Sequence, residues 1–142
     1  MQIVIHRGTH EIGGSCVEIR TRQTKILLDL GLPLDFDSRP QEQQKQIRRE
    51  ALEWAQDADA IFISHFHADH HGLLPDTHQD VAIYATAGTA AMMHVTEVIH
   101  GRGDADYLRH ISVLSKDADD RKFEPVIVGD ICITPYTVDH AA

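Results

Sequence analysis

Four histidines and an aspartate fall within seven residues of the segment Ser64-His65-Phe66-His67-Ala68-Asp69-His70-His71-Gly72, directly after the apolar run Ala60-Ile61-Phe62-Ile63. Imidazole nitrogen suits zinc and related divalent ions, and carboxylate oxygen suits harder ones, so a cluster of this density is built to hold one ion or two. A strand that ends near Ser64 passes into a loop leading to a helix, where side chains converge on an ion from one side. His65 and His67, two apart, point to the same side, and Asp69 and His70 follow after a turn. Two ligand pairs facing two adjacent ions is the natural reading. The alternative is a solvated histidine-rich loop that binds metal by accident; four of the chain's eleven histidines in this one segment argue against it.

Size, charge and cysteine content bound what such a site serves. The 142 residues make one domain or part of one, long enough to bury a core. The net charge of −9, from 13 Lys and Arg against 22 Asp and Glu, does not resemble the clustered basic surface on which non-specific nucleic-acid binding rests. Bound divalent metal offsets part of that charge locally. Cys16 and Cys132 lie far apart in strand-like segments and form no CxxC pair, so both are expected as reduced, buried thiols. The amino terminus enters the strand-like Gln2 to His6 directly, and no apolar stretch nears the ~20 residues of a membrane span. A cytoplasmic protein that makes no membrane contact is the expectation.

The elements that must position the metal loop are legible in outline. Three strands, Gln2 to His6, Ser15 to Arg20 and Thr24 to Leu30, are expected to form an antiparallel meander, with Gly13-Gly14 and Thr21-Arg22-Gln23 between them. Ile47, Ala51, Leu52 and Ala55 recur at helical spacing, which predicts an amphipathic helix over 39–56. Ala60 to Ser64 is continuous and apolar, as a parallel strand covered on both faces is. Val81 to Ala85 predicts another strand, and Thr86 caps a helix running to about His100 and closed by Gly101. Met92 and Met93 on that helix are expected in the core. A short helical piece over 104–110 and strands at 111–114, 126–128 and 130–136 follow, with an acidic turn over 116–120. Strands, helices and a site at a strand end define an α/β layered architecture.

With those residues in hand, the chain resembles the metallo-β-lactamase superfamily, whose HxHxDH signature stands here as His65-x-His67-x-Asp69-His70. Leu28-Asp29-Leu30-Gly31 is similar to the aspartate-bearing motif that precedes the metal loop in that superfamily. Gly8-Thr9-His10-Glu11-Ile12-Gly13-Gly14-Ser15-Cys16, followed by Ile26 to Gly31, resembles the opening of the ribonuclease J and β-CASP nuclease branch, and Thr134 to His140 resembles the strand that ends in that branch's next ligand histidine. The resemblance implies a four-layer αββα sandwich, of which residues 1–142 supply the first half and the start of the second, with no β-CASP insert. It implies that His65, His67 and His140 bind one zinc and that Asp69 and His70 bind a second, manganese or another divalent metal being the alternative. Asp69 then doubles as the catalytic residue that orients the attacking hydroxide, and Asp29 stands behind the ligands and receives a proton from one imidazole. His71 is not assigned as a ligand and is expected to begin the helix. His6 and His10 are expected at the surface or behind the ligands, and Glu11 is a candidate for substrate contact.

The implied reaction is hydrolysis, in which two ions about 3.5–4 Å apart share a hydroxide and clamp the oxygens of an ester. The branch resemblance favours a phosphodiesterase or ribonuclease acting on RNA. A small-molecule hydrolase that cleaves a thioester, ester or lactam is the second reading. A third is a catalytically incomplete metal-binding fragment. In the family a bridging aspartate and a last histidine follow the position of His140, and a half-sandwich is expected to pair with a second copy or a complementary half. Turnover by these residues alone is not expected, although three ligands and an open position suffice in other zinc enzymes.

Overall fold

The computed structural model describes residues 1–77, 81–101, 103, 105–116 and 121–138. Strands β1 (Gln2–Arg7), β2 (Cys16–Arg20) and β3 (Lys25–Leu28) form an antiparallel meander, and β4 (Ala60–Phe62), β5 (Ala82–Ala85) and β6 (Ile111–Val113) continue the same sheet in parallel, in the order β1-β2-β3-β4-β5-β6. Parallel neighbours need crossovers, and helices α1 (Gln41–Ala55) and α3 (Ala87–Ile99) lie in the connections on either side of the β4–β5 pair. The short helix α2 (Ala68–His71) follows the metal loop. A separate hairpin of β7 (Val126–Val128) and β8 (Ile131–Ile133) completes the described elements.

Alternation along the strands sorts the core into two layers. Leu27, Ile61, Ile63 and Ile83 face the helical side, where they pack with Ile47, Ala51 and Ala55 of α1, with Leu73 and Leu74, and with Met93 of α3. Ile26, Ala60 and Phe62 face the other way, onto Leu114, Phe123 and the inward residues Val126, Val128, Ile131 and Ile133 of the hairpin. Helices, the six-stranded sheet and the two-stranded hairpin are thus stacked in that order. β4 is buried at every position, which explains its unbroken apolar sequence.

Local chemistry sets the boundaries. Thr86 accepts a hydrogen bond from Thr89 N and caps α3, and Gly101 takes φ 72° beyond its end. The carboxyl ends of β3 and β4 lie side by side, with Leu28 beside Phe62, and this is where open parallel sheets place their ligands. Among the described residues no helix is long and apolar enough to cross a membrane.

Three expectations need correction. Cys132 is exposed, because it alternates outward on β8 while Ile131 and Ile133 face the core; only Cys16 is buried. Met93 is fully buried, but the adjacent Met92 is turned about 100° around the helix and is exposed. His71 ends α2 instead of beginning it, since the helix already starts at Ala68.

Candidate metal centre

The metal loop is held by backbone hydrogen bonds before any side chain acts. Ser15 N donates to Asp69 O at 2.9 Å, Leu30 N to His70 O at 2.8 Å and Leu32 N to Ala68 O at 2.9 Å, so the 12–15 and 30–32 segments grip α2 from one side. Such close approach requires glycine. A Cβ on Gly31 would lie 1.7 Å from Asp69 O, and one on Gly13, already at φ 77°, would lie 2.9 Å from Asp69 Cβ. From the other side His71, buried at the end of α2, donates from Nε2 to Phe66 O at 2.7 Å. Burial pushes the His71 imidazole below the ordinary histidine range, so it serves as a neutral clasp on the loop.

The functional side chains stand on this frame. His65 and His67 lie in the loop between β4 and α2, and Asp69 and His70 lie in α2. His65 Nε2 is 3.1 Å from His67 Nδ1, and His70 Nε2 is 3.5 Å from Asp69 Oδ2. The two pairs adjoin, since the rings of His65 and His70 have centroids 3.9 Å apart. Among the described residues no three of these donors converge on one point; they face one another as pairs. His140, expected as third ligand of the first pair, lies outside the described residues, as does the end of the 134–140 segment that carries it.

Asp29 ties both halves together. It follows β3 with φ 61°, a left-handed conformation that aspartate tolerates better than most residues, and its backbone N donates to Phe62 O at 2.9 Å. The resulting turn points its carboxylate across to the next strand end. There Oδ1 accepts from Ser64 N at 2.8 Å, and Oδ2 accepts from Ser64 Oγ at 2.9 Å and from His70 Nδ1 at 2.7 Å. The Asp29 hydrogen bond, against the opposing effect of burial, holds the His70 imidazole above the ordinary histidine range. It also keeps the proton on Nδ1 and leaves Nε2 as a lone-pair donor, the arrangement that ligand histidines commonly need.

The donor set fits a divalent metal of the zinc type. Nitrogens bound to one tetrahedral zinc at about 2.0–2.1 Å stand roughly 3.3 Å apart, and His65 Nε2 and His67 Nδ1 have nearly that separation. A mixed nitrogen and carboxylate pair, as in His70 and Asp69, suits zinc or a slightly harder ion.

The remaining candidates lie elsewhere. His6 stacks on Trp54 at 4.7 Å between centroids and bonds Glu18 at 3.0 Å, on the helical side of β1. His10 is exposed. Glu11, considered from the sequence as a substrate contact, is engaged by Arg39 at 2.7 Å and Arg7 at 3.6 Å. Sequence reasoning passed over Ser64 and Gly31. Gly31 carried a signal, as a glycine two residues after the strand-end aspartate; Ser64 carried none, because only the fold brings Asp29 beside it.

No protein-family model matches the chain. It is 35% identical over 91 residues to an RNase J-like protein of Methanocaldococcus jannaschii, covering 64% of this chain and 19% of that protein. It is also 41% identical over 76 residues to a probable RNase of the same organism, covering 53% of this chain and 16% of the relative. The chain therefore spans less than a fifth of the length of these curated relatives. Among solved structures, a protein of unknown function from Enterococcus faecalis superposes on 97% of this chain and 37% of its own, with a TM-score of 0.68 at 18% identity, a likeness of fold alone. The strand-end HxHxDH loop, the aspartate behind it and the RNase J-like relatives lead to one conclusion: the chain belongs to the metallo-β-lactamase superfamily, on its ribonuclease J and β-CASP side.

Proposed function

We propose that residues 1–142 form the metal-binding first part of a metal-dependent hydrolase that cleaves RNA phosphodiesters. The observation that carries this reading is the adjacency of two donor pairs, His65 with His67 and Asp69 with His70, backed by one carboxylate, Asp29. RNA as substrate is favoured by the RNase names of the sequence relatives. In the proposed site His65 and His67, with His140, hold one zinc, and Asp69 and His70 hold the second. Bound there, the metal would supply an activated water and charge stabilisation for the phosphoryl oxygens. The Asp69 carboxylate would also orient the attacking water, for which its negative charge is required. Asp29 keeps His70 in register, and the Gly13 and Gly31 approaches fix the height of α2 against the strand ends.

Metal content per chain, measured on protein purified without added metal, tests the site before any substrate is chosen. About two zinc ions in the wild type and fewer in both Asp69→Ala and His140→Ala are the expected results; in a longer protein that carries these residues together with the rest of the fold, chelator-sensitive cleavage of a labelled RNA oligonucleotide is expected to be lost in Asp69→Ala. A chain that takes up no metal would overturn the reading. Cleavage of a thioester or lactam with RNA left intact would shift it to a small-molecule hydrolase.

A second reading, a site that needs a second copy or a complementary half to work, is favoured by the sheet face beside the hairpin. Ile3 pairs with Ile19 and Ile5 with Val17, which puts both on the hairpin side of the sheet, yet they are 59% and 55% exposed. Light scattering decides it: a monomer at high concentration speaks against a second copy.

A further inference from the structure

Ser64 stands between the two donor pairs, and the reading above leaves it without a role. Its Oγ lies 2.9 Å from Asp29 Oδ2, 3.1 Å from His65 Nδ1 and 3.2 Å from His70 Nδ1, while its backbone N–H donates to Asp29 Oδ1. A hydroxyl has one proton to give. The carboxylate is both the nearest partner and the strongest acceptor, since bonds to ionised oxygen are roughly twice as strong as neutral ones. Once that proton is given to Asp29, Oγ faces His65 with lone pairs only. The 3.1 Å contact is then a hydrogen bond only if His65 Nδ1 carries the hydrogen.

We propose that Ser64 is a positioning residue: His65 Nδ1–H donates to Ser64 Oγ, Ser64 Oγ–H donates to Asp29 Oδ2, and His70 Nδ1–H donates to the same oxygen, so that one carboxylate sets the tautomer of two imidazoles in different donor pairs. The purpose of this chain of bonds rests on the metal-centre reading; the chain itself exists without metal. Its consequence is that His65 and His70 both present Nε2 as a bare donor. Those are the atoms that face His67 Nδ1 and Asp69 Oδ2 respectively. Removing the hydroxyl takes this acceptor from His65 Nδ1, and His65 shifts toward the tautomer whose Nε2 is blocked by its own hydrogen. His70 keeps its direct bond to Asp29 and does not shift.

The test is the histidine tautomer pattern of the metal-free chain, read by long-range proton–nitrogen correlation on 15N-histidine-labelled protein at a pH where the imidazoles are neutral, with His65→Gln and His70→Gln spectra for assignment. Expected are Nδ1–H at both residues in the wild type, a switch to Nε2–H at His65 alone in Ser64→Ala, and the wild-type pattern in Ser64→Thr, which keeps the hydroxyl. Zinc competition titration should show Ser64→Ala weaker by about 10- to 100-fold, as loss of a partner behind a ligand typically is, with Ser64→Thr near wild type. Nε2–H at His65 in the wild type, or an unchanged pattern in Ser64→Ala, would overturn the proposal. A switch at His70 as well would also overturn it, because the loop as a whole would then have moved. A wild-type chain with the expected tautomers and no zinc uptake would instead sink the metal-centre reading and leave the bond chain standing.

Discussion

Replacing Gly31 with alanine is the sharpest perturbation the structure offers, because the added methyl meets backbone on which the site is built. The new carbon would lie 1.7 Å from Asp69 O, 2.2 Å from Asp69 C and 2.7 Å from His70 N, where ordinary contact begins at 3.4 Å. No side-chain rotation relieves a clash with backbone, so α2 must retreat by roughly 1.5–2 Å to restore ordinary contact. Three hydrogen bonds cross that gap, from Ser15, Leu30 and Leu32 to the carbonyls of Asp69, His70 and Ala68. At about 1 kcal/mol each, their loss predicts a destabilisation of about 2–4 kcal/mol. Urea unfolding reads this directly, and zinc competition should show weakening beyond what stability alone accounts for, since Asp69 and His70 move together. Gly88→Ala is the control. It sits in α3 with no neighbour closer than Thr86 Oγ1 at 4.0 Å, so alanine should be neutral or stabilising by up to about 1 kcal/mol. Gly31→Ala within about 0.5 kcal/mol of wild type, with zinc affinity intact, would refute the claim that close backbone packing sets the height of α2.

Asp29→Asn should preserve the turn, because asparagine also tolerates the left-handed backbone, yet weaken zinc binding by about 10- to 100-fold; unchanged affinity in a competition titration would remove Asp29 from the site. Burial, aided by the negative charges of Asp29 and Glu18, pushes the Cys16 thiol up to about 12, whereas Cys132 is exposed. A chromogenic disulfide reagent should therefore titrate one thiol in the native chain and two in denaturant, and two fast native thiols would contradict the packing of β2. Burial would raise the Glu18 carboxyl, but the His6 hydrogen bond and the charges of Lys25 and Arg20 outweigh it and hold it below the usual range. A depressed folded-state value stabilises above the unfolded carboxylate range and loses that effect as pH falls through the folded value. The stability gap between wild type and Glu18→Gln in urea should thus be full at pH 6–7 and shrink through the acid limb; a gap independent of pH would refute the ionic role.

Much of this molecule was written in short-range pattern. The meander of β1 to β3, the α1 stripe of Ile47, Ala51 and Ala55, the buried β4 and the Thr86 cap are each set by neighbours within a few residues, so periodicity and capping chemistry exposed them. The HxHxDH spacing belongs to the same class, since a loop of six residues carries its own donors. What escaped were properties of long-range contact. Cys132 and Met92 occupy positions whose exposure depends on which face another element covers, and no local rule distinguishes the covered face of a short strand or an apolar helix. Glu11, considered as a substrate contact, is held by Arg39 from 28 residues away, together with Arg7 four residues before it.

The sequence by itself determined the elements, their order and the kinds of donor atom available at the end of β4. Tertiary structure alone decided how those donors are aimed. Asp29 and Ser64 are 35 residues apart and meet only because β3 and β4 pair in parallel with Leu28 beside Phe62. That pairing brings a carboxylate within hydrogen-bond reach of a serine and of His70 behind it. Hydrogen bonds act over about 3 Å, so the identity of a ligand can be read from one segment, whereas its tautomer and orientation are fixed by whatever a distant segment places beside it.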